Sequence, residues 1–180
     1  MLLRQMLYRC EPRFLNIIAS SWLNLRSTPN YEEMIRMLCE RMTDPAILRQ
    51  KLNTPEYQEL IAPLRHLIQN DGIENAEQFE AAFGTFRVAG IDRIMREKMW
   101  KIPVSLTEKL WYRGLIFREI RPMEGNLIDC YILPEDLLKI LSGIIPVQTA
   151  PEAPAAVLSD RKSTRLNSSH PTTSRMPSSA

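Results

Sequence analysis

The chain has 180 residues, 44% of them hydrophobic and 24% charged, enough apolar matter for the core of one domain or two small ones. Its formal net charge of +2 comes from the C-terminal tail, where Arg161, Lys162, Arg165 and Arg175 outnumber Asp160 and leave 19 basic and 20 acidic residues before position 160. That balance gives no support for a nucleic-acid partner. The three cysteines, Cys10, Cys39 and Cys130, have neither metal-ligand nor redox spacing and read as the reduced thiols of a cytoplasmic protein.

The opening stretch is apolar but is broken by Arg4, Arg9, Glu11 and Arg13, so it is too short to span a bilayer and carries no cleavage signal. A helix over 12–24, an extended loop through Arg26–Pro29 and a helix over 31–42 follow. This pair resembles the helix-extended-helix shape of SAP-like nucleic-acid modules, or serves as a helical cap on what comes next. Asn30 caps the second helix, with Tyr31, Met34, Ile35, Leu38 and Met42 on one face. Asp44-Pro45 opens a short helix to Leu52, and Thr54-Pro55 opens one over 56–70 that Pro63 should kink.

A helix over 75–83 stops at Gly84. Residues 85–103 read as an irregular, mostly exposed connection tethered by Trp100. Ser105–Glu108 has the spacing of a capping box and opens a helix to about Ile116. The period then switches to alternation over 116–133, around the turn Pro122–Asn126, which predicts a β-hairpin. Pro134-Glu135-Asp136 starts a last helix, and a Pro/Ala linker occupies 144–159.

The remaining stretch, 160–180, can be back-translated from Asp160–His170 and from Ser174–Ala180 into the two constant halves of a common sequencing adapter, with Pro171-Thr172-Thr173 at the index position. It is expected to be a disordered adapter-derived tail, and the natural protein is expected to continue past 159.

No phosphate-cradling loop, zinc spacing or nucleophile signature is present, and His66 sits among apolar residues, so no catalytic residue, metal or cofactor is expected. Three helices followed by a two-stranded wing is a winged-helix order, in which the helix before the wing reads DNA. Lys109, Arg113 and Arg118 are then expected to be solvent-exposed with Leu110 and Trp111 behind them. The basic segment Arg93, Arg96, Lys98 and Lys101 should border that face. The wing acids Glu119, Glu124 and Asp129 argue the other way, for a protein–protein scaffold.

The motifs Phe83-Gly84, Trp100-Lys101-Ile102-Pro103, Leu110–Ile116 and Ile132–Leu138 resemble the N-terminal part of bacterial helicase-associated proteins of the XPB-type winged-helix kind. The resemblance implies a DNA-linked, non-catalytic role, with any motor lying downstream. The expected fold is therefore mainly α with a small β-hairpin. It comprises a helical N-terminal module (1–53), a winged-helix-like domain (54–143), a linker (144–159) and the tail (160–180). The expected partners are duplex DNA or other protein domains, with no membrane and no small-molecule substrate.

Overall fold

A computed structural model describes residues 1–123 and 125–146; the expectations for the linker beyond Pro146 and for the tail lie outside the described residues. Chain order is α1 (Leu3–Leu7), α2 (Pro12–Trp22), α3 (Tyr31–Met42), α4 (Pro45–Leu52), α5 (Pro55–Gln58), α6 (Ile61–Gln69), β1 (Ile73–Asn75) and α7 (Ala76–Phe83). Then come α8 (Ile91–Glu97), a 3-10 turn (Met99–Lys101), α9 (Leu106–Tyr112), β2 (Phe117–Met123), β3 (Asn126–Ile132) and α10 (Glu135–Ser142). The fold is mainly α with a small antiparallel sheet.

Local chemistry sets several of these boundaries. The Asn30 side chain accepts from the Glu33 amide (2.9 Å), and Asp44 accepts from the Ala46 amide (2.8 Å), so α3 and α4 begin where their caps lie. The helix expected over 56–70 is two: α5 ends at Gln58 and α6 starts at Ile61. Proline at 63 has no N–H, and its ring crowds the carbonyl four residues back, at Glu59, so the break falls one turn before it. The helix expected to reach Ile116 stops at Tyr112. Gly114 adopts φ +65°, and the Leu115 amide reaches back to the Leu110 carbonyl (3.1 Å), closing the helix with a glycine cap.

The sheet has the order β1-β3-β2, with Ile132 of β3 opposite Ile73 on one side and Phe117 on the other. β1 lies between α6 and α7 and was not foreseen; its three residues are too few to show alternation. Residues 85–103 are also less irregular than expected. They contain α8 and the 3-10 turn and bury Ile94 and Met99, with Trp100 packed half-buried against the core.

The boundary expected at 53/54 does not separate two cores. Phe14 and Trp22 of α2 pack on α9, with Phe14 5.5 Å from Trp111 between ring centroids. The Trp22 indole N–H donates to the Arg113 carbonyl (2.7 Å). The Leu3 amide donates to Asp136 at the start of α10 (3.0 Å). Residues 1–146 thus belong to one compact unit, whose apolar centre draws on nearly every helix and on the sheet.

Candidate functional site

The helix before the hairpin, α9, is the element on which sequence reasoning placed most of its function. Ser105 caps it by accepting from the Glu108 amide (3.1 Å). The reciprocal half of the expected capping box does not form, because the Glu108 carboxylate is used elsewhere. One oxygen accepts from the Arg87 amide (3.0 Å) and from Arg87 Nε (2.7 Å). The other accepts from Arg87 Nη2 (2.7 Å) and from the Val104 amide (3.0 Å). Glu108 is wholly buried. Burial alone would raise its carboxyl; the Arg87 guanidinium and the two backbone N–H groups outweigh that and hold it below the ordinary carboxylate range.

This carboxylate ties down residues 85–104, here called the strap. The strap leaves the fold at Gly84 and returns at Ser105, and these two meet. A Cβ added to Gly84, which has φ +95°, would lie 2.7 Å from the Ser105 Cβ. The end of α7 and the start of α9 are therefore in direct contact, and the strap arches out and back between them. Phe86 stacks edge-on to Trp111 (5.2 Å), and Arg87 Nη2 donates to the Ile102 carbonyl (3.2 Å).

Neither of the two α9 cations is solvent-exposed as expected. Arg113 is 8% exposed; it pairs with Glu56, donates to the Lys109 carbonyl (3.1 Å) and stacks over the Tyr57 ring (5.0 Å). Lys109 pairs with Glu59 at 2.6 Å. The physical reason is α5 and its C-cap: Glu56 and Glu59, one helical turn apart, sit over this side of α9 and neutralise it. Lys51 joins the same cluster, over Trp22 and Tyr57 (5.0 Å each), and burial lowers its pKa. Burial pushes the Tyr57 hydroxyl up to about 12. Leu110 is buried as expected, and Trp111 is half-buried.

Arg118 on β2 is also engaged: it pairs with Asp129 (2.6 Å) and lies over Tyr131 (5.8 Å), and its pKa is raised chiefly by the bond to Asp129. Of the wing acids, Glu119 pairs with both Arg9 and Arg121 and Asp129 with Arg118, while Glu124 lies outside the described residues. Of the seven predicted cations, the exposed ones are on the strap. Arg93 pairs with Glu97 (3.0 Å) and Arg96 lies 3.7 Å from the same carboxylate, both well exposed, while Lys98 and Lys101 are exposed with no ion pair among the described residues.

The seven predicted residues therefore divide. Lys109, Arg113 and Arg118 are paired with Glu59, Glu56 and Asp129, and Arg93, Arg96, Lys98 and Lys101 stand outward on the strap. Sequence reasoning missed Glu56 and Glu59, whose partners are 57 and 50 residues away. It also missed an apolar groove of about 340 Å³ between α1, α2, the strap and β2, lined by Met6, Phe14, Phe86, Ile94, Trp111 and Phe117.

Among the described residues no three His, Cys, Asp or Glu side chains converge as metal ligands, and no helix is long and apolar enough to cross a membrane. Burial pushes the Cys10 and Cys39 thiols up to about 12 and about 11, so both stay protonated at neutral pH. Compared with protein-family models, with curated proteins and with solved structures, the chain matches none.

Proposed function

We propose that this chain is a non-catalytic protein-interaction module built on a winged-helix-like core. The order α6-β1-α7-α9-β2-β3, with sheet order β1-β3-β2, supports the winged-helix reading; the strap is then an insertion between the second and third helices. One observation carries the choice of partner class. The third helix, which enters the major groove in DNA-binding members of that architecture, has no free face here. α5 and α2 cover one side of it, and the strap covers the other. Its cations would have to give up the carboxylates they already pair with, Glu59 and Glu56, to reach phosphate. In keeping with the resemblance to helicase-associated proteins, such a module would work beside a motor that these residues do not contain.

A second reading is favoured by the outward cations Arg96, Lys98 and Lys101, which could contact phosphates without α9. Anisotropy titrations with labelled duplex DNA at rising salt test both readings. The protein-interaction reading expects binding no tighter than the weak end of non-specific association, roughly 10⁻⁴ M at physiological salt. Micromolar binding with a steep salt slope that falls in Lys109→Ala/Arg113→Ala would refute it. A slope that falls instead in Lys98→Ala/Lys101→Ala would establish the second reading.

A further inference from the structure

Charge is segregated along the chain. Residues 1–146 hold 19 basic and 19 acidic side chains. The strap alone holds five basic (Arg87, Arg93, Arg96, Lys98, Lys101) and two acidic (Asp92, Glu97), leaving 14 basic and 17 acidic for everything else. The strap is thus the positive element of an otherwise negative stretch, and its C-terminal part holds the two lysines that make no ion pair among the described residues. Apolar side chains lie beside them: Ile102 is 65% exposed and Val104 61% exposed. Next to Val104 is a shallow pit of about 300 Å³, lined by Phe83, Pro103, Leu106 and Lys109.

These apolar side chains are held outward by the backbone. The Ile102 carbonyl accepts from Arg87 Nη2 and the Val104 amide donates to Glu108, so both residues spend their backbone groups inward. The Lys98 backbone is fixed in the left-handed region (φ 49°), between α8 and the 3-10 turn. A surface held in this way loses little conformational freedom when a partner settles on it.

Resting on the protein-interaction reading above, we infer that Lys98–Val104 and the adjoining pit form a docking site for an acidic segment of a partner protein that carries aliphatic side chains among its carboxylates. Carboxylates would meet Lys98 and Lys101, and aliphatic groups would cover Ile102 and Val104 and enter the pit. A nucleic-acid backbone satisfies only the first half of this surface, because phosphates give no return for burying the two aliphatic side chains.

The test uses the full chain and three labelled synthetic peptides, read by fluorescence anisotropy. One repeats Glu-Leu-Leu-Glu, one has Lys in place of each Glu, and one has Ser in place of each Leu. The first should bind, and the other two should bind at least about tenfold more weakly, as loss of a central contact typically gives. Lys98→Glu/Lys101→Glu and Ile102→Ser/Val104→Ser should each weaken the first peptide by at least about the same factor. Both should melt like the parent, since they change exposed side chains.

Equal binding of the Glu-Ser peptide overturns the inference, because charge alone would suffice. Peptide binding that both double variants leave unchanged overturns this site and leaves the protein-interaction reading standing. No binding of any peptide or of duplex DNA has the same consequence. Duplex binding that Lys98→Glu/Lys101→Glu abolishes, with no peptide binding, overturns both.

Discussion

Replacing Glu108 with Gln should loosen the strap before anything else in the molecule. The buried carboxylate receives four hydrogen bonds, two on each oxygen, and each oxygen serves one guanidinium nitrogen and one backbone N–H. A glutamine amide of the same size keeps one oxygen and turns the other into a donor. Whichever way it flips, one charged and one backbone donor lose their acceptor. Both lost bonds are to the charged carboxylate, each contributing about 1.5–3 kcal/mol, which together give roughly 3–6 kcal/mol. Arg87 is a third exposed and recovers some of this from water, which favours the lower half.

For a chain of this size such a loss lowers Tm by roughly 5–15 °C. Amide hydrogen exchange should quicken most across 85–104. Because the carboxyl is held below its ordinary 4.5, the parent has this stabilisation in full above that pH and loses it as pH falls through the lower folded value. Glutamine does not titrate, so the gap between parent and variant should close in acid. A variant within about 2 °C of the parent at neutral pH, with unchanged strap exchange, would refute the clasp.

Three further outcomes follow from the packing. Gly84→Ala places a methyl against Ser105 at positive φ and should cost about 2 kcal/mol or more in urea unfolding; adding Ser105→Gly should recover only part, since the backbone strain stays. Trp22→Phe removes the donor to the Arg113 carbonyl and should lower the urea midpoint by the equivalent of about 1–3 kcal/mol; an unchanged midpoint would show that this bond contributes nothing. A fragment starting at residue 54 loses the Phe14, Trp22 and Leu3 contacts and should lack the near-UV circular dichroism of a packed core; a cooperative melt from that fragment would contradict the single shared core.

What could be read from sequence was what short-range chemistry determines. Asn30 and Asp44 announce their helices because a cap acts over three residues. The hairpin shows because seven residues per strand are enough to alternate. α8 was missed: Ile91, Ile94 and Met95 have helical spacing, but the surrounding charges masked it. β1 was not legible, since its pairing with Glu74↔Tyr131 is made across the fold rather than in its own three residues. The site was the least legible part. Lys109 and Arg113 have the spacing of a basic helix face, and nothing near them in sequence says that Glu56 and Glu59 will lie over it. Charge counted along a chain does not distinguish a cation offered to solvent from one already matched by a distant carboxylate of the same chain.

Because Gly84 and Ser105 touch, the strap is an excursion whose ends are already joined by the fold. The entropy of closing such a loop grows only logarithmically, about 0.6 kcal/mol for each doubling of length, so its span is nearly free to vary. Its stretch before α8 is open as well: a side chain at Gly90 would meet nothing within 4 Å, and nearby Val88 is 78% exposed. A reporter or a small guest domain spliced in there would sit outside the core, its two junctions led back to a single point. The same geometry makes this stretch the place where lineages sharing the core could diverge in length and surface without altering how the rest of the molecule folds.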